Sequence, residues 1–182
     1  MRRVRRVGLP VVTAMCLIAL VALWLERRNE TRTLPQSLCG TPVSAGDLKP
    51  LIPAEGEITE RNDVDRRDPQ PASWCSLNVN GKTALDLRFA WHDDEVDPVK
   101  VSGSVKSVSY LELPERAKTY PRTAVGNNGA IATAPCRTKG GAYFTLSVLL
   151  KGTNLTDTGY RNDIEKFMRA YFPATVETLH CR

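Results

Sequence analysis

The sequence predicts an α+β domain behind an N-terminal transmembrane helix: one disulfide-stapled unit in which an antiparallel sheet carries helices on one face. Three observations lead there. Residues 7–25 form an apolar run broken only by Gly8, Pro10 and Thr13. Beyond it, strand-like segments follow one another in meandering order with helical patterns near the two ends, the arrangement of an antiparallel sheet backed by helices. Four of the five cysteines, Cys39, Cys75, Cys136 and Cys181, are spread through that outer part.

The apolar run is about 19 residues, or roughly 28 Å as a helix, close to the hydrocarbon thickness of a bilayer. A core helix of that length carries a polar stripe, and this run has none. Signal-peptide cleavage needs small residues just past the apolar stretch, yet the run closes on Trp24 and Leu25. The stretch VTAMC, ending at Cys16, loosely resembles a lipid-attachment site. Met15 is large where a small residue belongs, however, and the apolar run continues well past Cys16. An uncleaved signal anchor is the expectation. Arg2, Arg3, Arg5 and Arg6 precede the run and Arg27, Arg28 and Arg32 follow it, a bias that favours a cytoplasmic N-terminus. The chain then divides into a cytoplasmic tail (1–6), a single-pass membrane anchor (7–25), a polar linker (26–38) and an extracellular domain (39–182).

Cysteine usage agrees with that topology. The four outer cysteines show no CxxC spacing, and the chain has only two histidines, too few to complete a zinc site with them. Two disulfides in an oxidising compartment is the natural reading. Four cysteines permit three pairings; the expectation is Cys39 with Cys75 and Cys136 with Cys181, because each bridge would pin a helix to the sheet.

The net charge of +5 is a property of the N-terminal end alone. Of 25 Lys/Arg and 20 Asp/Glu, the first 32 residues hold seven Arg and two Glu, so 18 of each sign remain outside. The basic end is a topogenic signal, and a formally neutral domain carries no electrostatic footprint for DNA or RNA. Nucleic acid is excluded as a partner.

In order along the outer part, SAGDLKPLIP opens with an N-cap, Ser44, and an acid, Asp47, placed for reciprocal capping of a short helix that ends near Pro53. Residues 55–68 are densely charged and read as a solvated loop. Leu77 and Val79 alternate with polar neighbours, as do Leu85, Leu87 and Phe89, and Asn80-Gly81 between them is a strong hairpin signal. Residues 99–111 suggest a further, imperfect strand, and ERAKTY a short helical or irregular connection. AVGNNGAIATAPC and GGAYFTLSVLL read as successive strands around a turn, RTKGG. In the last segment Ile164, Phe167, Met168, Tyr171 and Phe172 recur at helical spacing, an apolar face suited to a sheet. The aromatics Trp74, Phe89, Trp91, Tyr143 and Phe144 fall on strands and are expected in the core.

Chemistry is sparsely marked. No GxSxG, SxxK, HExxH or Gly-rich phosphate loop is present, Ser102, Ser104 and Lys106 lack serine–lysine spacing, and no cofactor is implied. The densest polar group is HDDEVD, in which His92 is followed by Asp93, Asp94, Glu95 and Asp97. Such oxygens could hold a hard cation such as calcium, but the spacing lacks an EF-hand's alternation and glycine, and a solvated turn is the expected state. No catalytic residue is assigned.

The cysteine leading into a short helix in LCGTPVSAGDLKPLIP, then SWCSLNV, ATAPC before a strong strand, and a last cysteine after the closing helix form a pattern. It resembles actinobacterial membrane-anchored cell-envelope proteins of unknown function. Many of those are lipoproteins, from which this chain departs at Cys16, and some are similar to the PsbP-like α/β sandwich. The resemblance implies no catalytic residues. Two functions follow as expectations: an extracytoplasmic binding or interaction module for an envelope protein or small ligand, and, alternatively, an envelope hydrolase or metal-dependent enzyme using residues 92–97.

Overall fold

Asn80 and Gly81 both take positive φ, 52° and 73°, as a two-residue type I′ hairpin requires. The turn joins two strands, Ala72–Val79 and Lys82–His92, around which the domain is built. The computed structural model describes residues 34–52, 56–102, 110–118, 120, 122–152 and 159–181. The expected anchor, residues 7–25, lies outside the described residues. Among the described residues no helix is long and apolar enough to cross a membrane.

Beyond the expected anchor the chain forms one unit, Leu34–Arg182. It opens with a small hairpin, β1 (Ser37–Leu38) and β2 (Thr41–Pro42), followed by helix α1 (Ala45–Leu48) and a 3-10 turn (Lys49–Leu51). Ser44 caps α1 as expected, its Oγ accepting from Asp47 N and donating to the Asp47 carboxylate. Leu38, at the end of the stretch read as linker, is fully buried, so the fold begins before Cys39.

The main sheet has seven antiparallel strands: β3 (Ile58–Asn62), β4 (Ala72–Val79), β5 (Lys82–His92), β6 (Glu115–Arg116), β7 (Thr123–Val125), β8 (Gly129–Thr138) and β9 (Gly141–Leu150). Their spatial order is β3-β4-β5-β9-β8-β7-β6. A short helix α2 (Pro98–Ser102) follows β5, and the long helix α3 (Tyr160–Thr178) closes the chain. Side chains alternate across the pleat. One face presents Leu77, Leu87, Phe89, Phe144, Leu146 and Val148, and α3 lays Ile164, Phe167, Met168, Tyr171 and Phe172 over it.

Several expectations are corrected. Residues 58–62, read as solvated loop, are the edge strand β3, paired from Ile58↔Val79 to Asn62↔Cys75. Its side chains are largely exposed, so its charges say nothing against a ladder held by backbone bonds, and they protect the edge from further pairing. The strand expected from residue 99 is instead helix α2: Pro98 sits in the first turn and Asp97 accepts from Val99 N, which caps it. Val99 packs with Leu111, Ala124, Ile131 and Leu149. Ile131 and Leu149 alternate with the core-facing Ala130, Ala132 and Val148, so α2 covers the opposite face and the helices are not confined to one side. AVGNNGAIATAPC is two strands, β7 and β8, joined by a turn, and ERAKTY contributes the two-residue β6. Trp74 leaves the core: Cys75, Leu77 and Val79 take the inner face and leave Trp74 36% exposed on the outer one. Tyr143 is half-buried there as well.

Candidate functional site

The two disulfides are Cys39–Cys75 and Cys136–Cys181, the expected pairing. Each also positions charged side chains. After α3 the chain passes Leu179, whose N–H is satisfied by Thr175 O, and His180, which adopts a left-handed φ of 51°. That turn brings Cys181 to Cys136 on β8, and the bridge thereby brings the neighbours Arg137 and His180 to one place.

Arg66 is anchored beside the first bridge. It extends from the β3–β4 loop, half-buried, and its Nη1 donates to Thr178 Oγ1. Its Nη2 donates to Cys39 O and to Thr41 Oγ1, the latter at 2.9 Å. A hydroxyl has one proton. Thr41 Oγ1, accepting from Arg66, donates to Thr175 Oγ1 at 3.1 Å, and Thr175 in turn donates to Tyr171 O at 2.9 Å. The Arg66 guanidinium lies 5.8 Å from the Phe89 ring centroid. It also crosses Gly40, where a Cβ would come within 2.7 Å of Arg66 Nε and where φ is +76°, so glycine is required twice over. Burial pulls the Arg66 guanidinium below its ordinary value, while Tyr171 and Glu60 oppose that shift. No carboxylate among the described residues forms a salt bridge with it.

Between the β3–β4 loop, the β8–β9 turn and the end of α3 lies a groove of about 610 Å³. Arg66, Arg67, Arg137, Lys139 and His180 line it, with Leu179 as an apolar wall and no acidic residue among the lining side chains. Two acids stand at its rim. Asp68 pairs with Lys139 at 3.0 Å. Asp65 accepts from Arg67 N and Asp68 N, bonds that hold its carboxyl below the ordinary carboxylate range. The Arg67 and Arg137 side chains are exposed and form no ion pair among the described residues. A second cleft, of about 620 Å³ on the outer sheet face, is lined by Trp74, Ser76, Asn78, Asp86 and Arg88 among others. There one acid sits among three cations, Arg61, Arg88 and Lys151, with Asp86 3.2 Å from Arg88 and 3.9 Å from Lys151.

The HDDEVD residues are directed elsewhere. Asp97 caps α2 and receives Arg116 Nη2 on both oxygens at 3.0 Å. Glu95 lies 3.4 Å from Arg122, Asp93 and Asp94 are exposed, and His92 closes β5 with burial lowering its pKa. Among the described residues the one close grouping of His, Cys, Asp or Glu ligand atoms is Cys39, Cys75 and Glu60, in which both sulfurs belong to the disulfide and Glu60 accepts from Cys39 N at 2.8 Å.

Sequence reasoning missed the groove because its cations come from three separated segments, each interleaved with acids or polar residues. The one available signal was the expected Cys136–Cys181 bridge, which makes Arg137 and His180 neighbours. No protein-family model, curated protein or solved structure matches this chain.

Proposed function

We propose that this chain is a membrane-tethered, extracytoplasmic binding module of the cell envelope. The observation that carries the reading is the cationic groove, concentrated on disulfide-pinned loops within a domain of formally zero net charge. Charge segregation of that kind creates a local potential suited to recognition. The apolar run of residues 7–25 and the two disulfides support the tethered, extracytoplasmic placement. The resemblance to actinobacterial envelope proteins supports the same setting. The alternative, an envelope hydrolase or metal-dependent enzyme at residues 92–97, gains no support from acids already engaged in a helix cap and ion pairs.

The reading is tested on the full chain, first expressed in a bacterium and then purified. Carbonate-washed membranes are expected to retain it, and protease added to spheroplasts is expected to digest the outer domain. A mature N-terminus at or beyond Glu26 in the culture supernatant would refute the tether. Purified chain is expected to cosediment saturably with isolated envelopes, and His92→Ala is expected to cosediment equally well; non-saturable sedimentation would refute binding.

A further inference from the structure

We propose that the groove formed by Arg66, Arg67, Arg137, Lys139 and His180 binds a ligand carrying more than one phosphate group, and that the Cys136–Cys181 disulfide clamps it in a competent shape. The proposal rests on the binding-module reading and names the chemistry of what is bound. Four cationic side chains line one concavity; Asp68 pairs with Lys139, Asp65 acts on Arg67 and Glu60 on Arg66 without forming ion pairs, and no acid lies among the lining side chains. Bringing like charges together is unfavourable unless an anion compensates them.

The groove contains two kinds of cation. Arg66 is preorganised: three neutral acceptors, Thr178 Oγ1, Cys39 O and Thr41 Oγ1, hold its guanidinium, so it contributes a fixed positive field. Arg67 and Arg137 are exposed and retain their planar forks, which match phosphate oxygens bidentately. The volume of about 610 Å³ exceeds what one inorganic phosphate fills, and the cation count exceeds what one carboxylate neutralises. A single strand of nucleic acid is disfavoured because no Phe, Tyr or Trp side chain lines the groove to build a stacking platform. The clamp follows from connectivity: Arg137 and His180 each adjoin a half-cystine of the same bridge.

The test uses the full chain in phosphatidylcholine nanodiscs, titrated calorimetrically with tripolyphosphate, with short-chain cardiolipin, whose headgroup carries two phosphates, and with polyglutamate. Tripolyphosphate binding alone assigns a free or polymeric phosphate ligand, and cardiolipin binding assigns a lipid headgroup; either outcome supports the proposal. The exposed double variant R67Q/R137Q, with an unchanged circular dichroism spectrum, is expected to bind at least ten-fold more weakly. C136S/C181S is expected to lose affinity to a similar extent, and Trp74→Ala in the opposite cleft to lose none. The proposal is overturned if neither phosphate ligand binds, if polyglutamate binds as tightly as tripolyphosphate, if R67Q/R137Q binds like the parent, or if Trp74→Ala weakens binding equally. Any of those results alongside intact, saturable envelope binding removes the phosphate assignment and leaves the binding-module reading standing.

Discussion

Tyr171 carries more of the fold than its place in the apolar stripe of α3 suggests. Its ring stacks on Phe167 at 4.8 Å between centroids, and its hydroxyl donates to Leu38 O at 2.7 Å, tying the last helix to the first strand. Burial raises its pKa far above the ordinary 10.0. The neutral phenol is therefore the folded form. Its contribution is fully present below pH 10 and falls as pH rises above that, because the unfolded phenol loses its proton before the folded one does. Tyr171→Phe is expected to cost about 1–2 kcal/mol in urea denaturation at neutral pH, since the buried hydrogen bond from Tyr171 to Leu38 O is lost. The variant is also expected to lose stability less steeply than the parent above pH 10. An identical alkaline slope in the two proteins would refute this account. The stripe position of Tyr171 was legible from helical spacing, whereas its hydroxyl's partner was not, because Leu38 stands 133 residues away. Arg66 was illegible for a related reason: in DVDRRD nothing distinguishes the arginine that turns inward from the one that stays in solvent.

Among the elements, those specified by periodicity appear where the pattern placed them. The hairpin at Asn80-Gly81, the strands on either side of the β8–β9 turn and the helix α3 each have an apolar alternation or stripe with one dominant reading. β3 and α2 do not. β3 buries little and owes its existence to pairing with β4, so its sequence keeps a loop's composition. α2 contains Val99 and Val101, which favour strand locally, but Pro98 and the Asp97 cap start a helical turn that Val99 then anchors to the outer face. Because α3 is held by its apolar face, Phe167→Ala, which empties a fully buried site, is expected to cost about 3–5 kcal/mol. Arg169→Ala on the exposed face is expected to stay within about 0.5 kcal/mol. Chemical denaturation of both variants checks the contrast, and equal costs would mean that α3 does not pack as described.

For the whole molecule, the two bridges close loops with sequence separations of 36 and 45 residues. In the chain-entropy account each constrains the unfolded state by about 4 kcal/mol. Removing Cys136 and Cys181 together as serines is expected to lower unfolding free energy by roughly that amount, read by urea denaturation of the full chain. A change under about 1 kcal/mol would mean that the bridge adds little beyond the packing of α3. The amino-acid sequence by itself determined the anchor expectation, the alternating strands, the closing helix and the supply of four cysteines beyond the apolar run, because each is written in neighbouring residues or in counts. Only the tertiary structure decided which side chains meet. Long-range register and disulfide connectivity put Arg66, Arg137 and His180 around one groove from segments far apart in the chain. A domain whose charges sum to zero along the sequence can still hold a concentrated positive site, because net charge is additive over residues while potential depends on where folding puts them.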